Sequence, residues 1–211
     1  MSYMPSVQEK AYALLEAARN QAYTLPEGFA GFRARLRVYL AGSWHQGSLV
    51  ARSPREIELH LLEDLQAWPR RELASMLAHR SPRPFAQNEG QYPMHLEGET
   101  PLGVGVRLED AMRSVLWVQD NHIRMVERNL PDSSFRIHIH SHVPAGAHHL
   151  PQHFTVTYRN AQGLIEAVES FDDRYVQVEG VWLPSRRQVV RHDKDGVTVR
   201  ELQLDQHALL T

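Results

Sequence analysis

Apolar residues recur along this chain with two different periods, and the switches between them mark out its elements. Behind Ser6-Val7-Gln8-Glu9, the residues Val7, Ala11, Leu14, Leu15 and Ala18 fall at helical spacing. Ser6 and Glu9 make a capping box, in which the hydroxyl accepts an orphan backbone N–H and the carboxylate reaches back. The pattern predicts an amphipathic helix over residues 6–22 with one buried face, ended by Pro26-Glu27-Gly28. The period then falls to two. Phe32, Ala34, Leu36, Val38 and Leu40 alternate with Arg33, Arg35, Arg37 and Tyr39, and Ile57, Leu59 and Leu61 alternate with Glu56, Glu58 and His60. Both runs read as half-buried strands, and an Arg ladder facing a Glu ladder across neighbouring strands would suit them.

Residues 64–80 return to helical spacing as an insertion. Asp64 is the expected cap, Pro69 suits a first turn, and Leu65, Trp68, Leu73, Met76 and Leu77 make the buried side. Residues 81–103 are rich in Pro and Gly, with one short strand expected at Tyr92–Glu97. From there strand follows strand, at 104–109, 113–119, 122–129, 134–143, 153–160, 163–171, 174–180, 182–192 and 197–205. The breaks between them include Asp120-Asn121, Asn160-Ala161-Gln162-Gly163 and Asp193-Lys194-Asp195-Gly196, and Asp172-Asp173 reads as a further turn. Short connections favour an antiparallel meander, since parallel pairing needs long crossovers. The predicted class is α+β: about a dozen strands in a sheet too extensive to stay flat, curling around the two helices. No low-complexity linker divides residues 1–211, so a single domain is expected.

The fragments Ala18-Arg19-Asn20-Gln21-Ala22-Tyr23-Thr24 and Gly31-Phe32-Arg33-Ala34 are followed by His79-Arg80 with Phe85, then by Asp110-Ala111-Met112-Arg113-Ser114 and Val126-Glu127-Arg128. With Phe171-Asp172-Asp173-Arg174-Tyr175 and Leu183-Pro184 they run in an order and spacing that resembles an uncharacterised family known from cyanobacteria and chloroplasts. That family is a domain of unknown function, so no catalytic residue carries over. The resemblance implies a lipoprotein-carrier-like (LolA/LppX-type) fold, a half-barrel of strongly curved antiparallel sheet with helices packed on the concave side. It also implies a hydrophobic cavity. Such carriers have export signals, and none is visible at the start of this chain.

Composition narrows the chemistry. The chain of 211 residues has no Cys, which excludes disulfide frameworks, thiol catalysis and cysteine-bearing metal sites. Basic and acidic residues nearly balance, 23 against 25, so bulk charge attracts neither nucleic acid nor an anionic bilayer. No window is apolar enough for a membrane helix and the N-terminus shows no signal peptide, so a cytoplasmic protein is expected. Lys occurs only at 10 and 194, which makes a Schiff-base lysine improbable. Gly103-Val104-Gly105 lacks the third glycine of a dinucleotide loop, and no phosphate loop, Gly-x-Ser-x-Gly elbow or His-Glu-x-x-His is present. Glu109-Asp110 and Asp172-Asp173 are adjacent carboxylates that face opposite ways on a strand, and so form no acid/base dyad.

Of the 13 His, six fall between 138 and 153: His138, His140, His142, His148, His149 and His153. On a strand the first three share a face about 6.5–7 Å apart, so an adjacent pair can chelate zinc if a third ligand arrives from His148, His149 or His153. No cofactor is required by any motif, and zinc is the one candidate. Three functions are compatible with these readings. The first is a non-enzymatic protein holding a lipid or other hydrophobic small molecule, with Leu36, Val38, Trp117, Ile137, Ile139 and Phe154 lining the cavity. The second is a metal-binding protein or zinc hydrolase built on the histidines. The third is an interaction scaffold docking through a sheet edge or face.

Overall fold

A computed structural model of the chain describes residues 6–211. Ser6 caps helix α1 (Val7–Gln21) as its sequence requires. The Glu9 amide donates to the Ser6 hydroxyl at 3.2 Å, and the Ser6 amide donates to the Glu9 carboxylate at 2.6 Å. Such a cap is worth about 1 kcal/mol. Ala11, Leu15 and Ala18 form the buried stripe. Helix α2 (Ala67–Ala78) starts after a 3₁₀ turn at Glu63–Leu65, with Pro69 in its first turn. Asp64 therefore lies in that turn instead of capping the helix, and the cap position falls to Gln66.

Twelve strands follow in chain order: β1 (Phe32–Leu40), β2 (Ser43–Ser53), β3 (Glu56–His60), β4 (Met94–Thr100), β5 (Gly103–Leu108) and β6 (Val115–Gln119), then β7 (His122–Asn129), β8 (Ser133–Ala145), β9 (His148–Asn160), β10 (Ile165–Val178), β11 (Val181–Asp193) and β12 (Gly196–Leu209). They make one antiparallel sheet in the order β3-β2-β1-β12-β11-β10-β9-β8-β7-β6-β5-β4. It is a meander throughout, except that β1 and β12, from the two ends of the sequence, lie side by side.

Two expectations are corrected. Strand β2 has no clean alternation in its Ser43-Trp44-His45-Gln46-Gly47 half and was not foreseen, yet it separates β1 from β3. The expected Arg–Glu ladder between those two strands therefore does not form. Arg35 instead holds Asp205 of β12 through two hydrogen bonds of 2.7 and 2.8 Å, and Arg52 of β2 holds Glu58 of β3 at 2.6 Å. Second, β10 runs straight through Asp172-Asp173, where a turn was expected. Asp173 is completely buried and Asp172 pairs with Arg186 at 2.6 Å. Opposed ion partners on the two faces stabilise the strand where propensity alone argues for a bend.

The chain sorts into two compact units. Of the described residues, the α1 unit holds 6–23 with Arg83–Ser170 and His192–Gly196; the α2 unit holds Thr24–Pro82, Phe171–Arg191 and Val197–Thr211. In the first, Ala11, Leu15 and Ala18 pack on Val106, Leu116 and Val126, and Tyr12 meets Phe85 edge-on at 4.9 Å. In the second, Phe32, Leu36, Leu49, Leu73, Met76 and Leu77 are among the fully enclosed side chains.

Candidate functional site

Two features are candidates for a site: an apolar pocket in the α2 unit and a knot of imidazoles in the α1 unit. The pocket has a volume of about 170 Å³ and is lined by Leu25, Pro26, Phe29, Pro54, Leu77 and Pro82, with Arg52 and Ser53 also contributing. Its walls come from the loop after α1, the β2–β3 turn and the end of α2. Prolines and the Pro26-Glu27-Gly28 turn fix the loop walls, because proline restricts the backbone dihedral. Arg52 brings no free charge to it, since Glu58 and Glu56 lie at 2.6 and 3.5 Å.

The six residues expected to line a cavity are not brought together. Leu36 and Val38 are fully enclosed in the core of the α2 unit. Ile137 and Ile139 pack on the α1 core, and Phe154, paired with Ile139, shares their face. Trp117 lies on the opposite face, in the row Gly105–Trp117–Met125–His138. That row leaves the core-facing row Val106–Leu116–Val126–Ile137 to α1. Gly105 lies under the indole, and a Cβ there would sit 2.9 Å from the Glu97 Cβ and 3.2 Å from the ring. None of the six lines the pocket described here.

The histidines divide as well. Register shifts at Ile139/Ser141 and Ser141/His142 interrupt the alternation of β8, and bulges of this kind re-aim side chains. His138 and His140 stay together with ring centroids 6.5 Å apart, and His140 meets the Thr155 hydroxyl at 2.9 Å. His153 meets the Ser141 hydroxyl at 2.7 Å, while His148 donates to the Asn20 carbonyl at 3.2 Å. His142 turns instead to His149 of β9 and to His122 of β7. Ring centroids are 4.6 Å apart for His142–His149, 4.9 Å for His122–His142 and 4.1 Å for the stacked pair His122–His149. His122 was missed in the sequence. Its one signal is a His-x-Arg alternation at the start of β7, and only the register of β7, β8 and β9 shows where that points. Burial and then the neighbouring rings and Arg124 push His142 down to about 3 and His149 down to about 4, so both rings are neutral at pH 7. Burial and His140 lower His138 as well. Among the described residues no three His, Asp or Glu side chains are arranged to hold a metal ion.

Each unit also holds a buried polar network. In the α1 unit Arg128 donates to Ser114 and to Asp110 (3.3 Å), Asp110 also accepts from the Ser114 amide at 2.8 Å, and Arg19 pairs with Glu89. In the α2 unit Arg187 spans Asp173 (2.6 and 2.7 Å) and Glu72 (3.1 Å), while Arg80 donates to the Tyr175 hydroxyl and the Met76 carbonyl, both at 2.5 Å. These networks draw on Arg19, Arg80, Asp110, Ser114, Arg128, Asp173 and Tyr175, which also carry the sequence resemblance. Their partners are one another, which is framework chemistry.

A family model of proteins of unknown function, DUF3386, matches residues 6–210. The chain belongs to the DUF3386 family. No curated protein matches this DUF3386 chain. Among solved structures it is similar to a domain named for outer-membrane lipoprotein sorting from Vibrio parahaemolyticus, at 11% identity and a TM-score of 0.42. The match covers 97% of this chain and 94% of that one. It is similar also to a DUF1329 family protein from Desulfovibrio piger, at 9% identity and a TM-score of 0.38, with the same coverage. No described helix of this DUF3386 protein is long and apolar enough to cross a membrane.

Proposed function

We propose that this protein is a non-enzymatic binder that receives a small uncharged apolar group in the pocket of the α2 unit. The observation that carries the reading is the pocket itself: prolines and large apolar side chains around about 170 Å³. Sites for drug-sized ligands run from roughly 300 to 1,000 Å³, so the occupant is smaller, such as a short acyl segment or one aromatic ring. The prior commitment of Arg52 to Glu58 and Glu56 favours a neutral ligand over a carboxylate. No nucleophile–base pair of the kind that carries covalent catalysis lines the pocket.

Calorimetric titration with 1-octanol and with octanoate tests this. Saturable binding of 1-octanol is expected, with the negative heat-capacity change that marks apolar burial, weaker binding of octanoate, and a loss of at least about tenfold in Ser53→Trp, which obstructs the rim. Absence of saturable binding to the wild type, or equal binding in the variant, would overturn the reading.

A further inference from the structure

His122, His142 and His149 cluster with ring centroids 4.1–4.9 Å apart, and the charged or titratable groups that act on His142 and His149 are Arg124 and other imidazoles. Strand β7 contributes His122 and Arg124, β8 contributes His142, and β9 contributes His148 and His149; Arg124 acts electrostatically on both His142 and His149. The register of β7 on β6 steps from Val118–Ile123 to Trp117–Met125, so Arg124 is the extra residue of a bulge two positions from His122, and bulges re-aim side chains. Its Nε is buried without a hydrogen-bond partner, and no described carboxylate lies within ion-pair distance of its guanidinium. Arg19 and Arg80 also have a buried Nε without a partner, but their terminal nitrogens donate to Glu89 and to Tyr175 and the Met76 carbonyl, whereas among the described residues no such acceptor meets Arg124. Buried polar groups are satisfied as a rule, and a partly buried guanidinium with no internal acceptor points to an external one.

We propose that Arg124, His122, His142 and His149 form a binding site for a phosphate-type anion, whether free or borne on a lipid headgroup. The guanidinium offers a planar fork that matches phosphate oxygens two at a time. The imidazoles supply N–H donors. His122 Nδ1 lies 2.7 Å from the Asp120 carbonyl, which can only accept. That nitrogen therefore carries the hydrogen, and an N–H donor at Nε2 exists only in the charged ring. An anion placed among these rings favours their charged forms, so binding is coupled to proton uptake and tightens as pH falls. A divalent cation is disfavoured at the same spot, because it would meet the Arg124 charge. The site belongs to the α1 unit and rests on none of the residues of the apolar pocket.

The test uses the full-length protein at constant ionic strength. Imidazole nuclear magnetic resonance at pH 6.5 follows the His142 and His149 signals during titration with inorganic phosphate. Saturable shifts are expected, with both rings titrating at higher pH when phosphate is bound. Affinity should fall at least tenfold in Arg124→Gln and less in Arg124→Lys, and it should be unchanged in His138→Gln. His149→Asn provides a second variant should Arg124→Gln fail to fold. Co-sedimentation with phosphatidylglycerol–phosphatidylcholine vesicles, compared with phosphatidylcholine alone, separates the sources. Saturation by inorganic phosphate without vesicle binding assigns a free anion, and Arg124-dependent sedimentation assigns a headgroup. No response to either probe, an equal response in Arg124→Gln, or one-to-one zinc binding at the three rings with no phosphate response would each overturn the proposal.

Discussion

Arg187 has 6% of its side chain exposed and faces Asp173, which has none, in a two-pronged pair that Glu72 extends. Burial pulls the guanidinium toward neutrality, but the attraction of Asp173 outweighs it and its pKa ends above the ordinary value. Removing one partner of such a pair leaves a buried charge uncompensated, at about 3–5 kcal/mol. Arg187→Met should therefore lower unfolding free energy by about that amount in urea titrations, and a loss below about 1 kcal/mol would count against this account. The histidines give a residue-scale prediction of a different kind. His142 and His149 titrate at about 3 and about 4 in the folded chain, against 6.5 ordinarily. Between those values the unfolded chain takes up protons that the folded chain refuses. Stability is thus full above pH 6.5 and falls as pH drops toward 4. Urea titrations at pH 7.5 and pH 5 should show lower stability at pH 5, with a smaller difference in His142→Asn.

Among the elements, the two outermost strands differ from the ten between them, since each has one side without a strand partner. Strand β3 has five residues, and the Arg70 guanidinium of α2 donates to its Ile57 carbonyl. Strand β4 is protected otherwise: Glu97 and Glu99 flank Gly98, which sits at φ 104°, and the register shifts between Leu96 and Gly98. Charge and irregularity are how sheets discourage further strand addition, so both edges weigh against a scaffold that docks by extending the sheet. Replacing Glu97 and Glu99 together by Val should produce concentration-dependent self-association in size-exclusion chromatography, where the parent elutes independently of concentration. An unchanged elution profile would show that charge is not what protects this edge. Elements were also where the sequence was most readable. Alternation located β1, β3 and most of β4–β12, and the capping box located the start of α1. Strand β2 escaped because Ser, His, Gln and Gly carry half of it, and β10 was split because paired Asp residues resemble a turn until their Arg partners are placed. The binding features were much less legible. The pocket is made of loop prolines, which sequence reads as punctuation, and the imidazole knot depends on two register shifts that no periodicity reports.

At the scale of the molecule, the meander and its α+β class follow from local signals alone, because nearly every strand pairs with its sequence neighbour. The exception is the pairing of β1 with β12, which joins Phe32 to Leu209 and brings the late strands into the α2 unit. As a result neither unit is a continuous stretch of chain. The tryptophans are divided unevenly between them: Trp44, Trp68 and Trp182 fall in the α2 unit, and Trp117, the indole seated over Gly105, is alone in the other. A protein carrying Trp44→Phe, Trp68→Phe and Trp182→Phe would therefore have tryptophan emission from the α1 unit only. Set beside far-ultraviolet circular dichroism, which sees every strand, that single emitter gives an optical measure of whether the sheet melts in one cooperative step or in two.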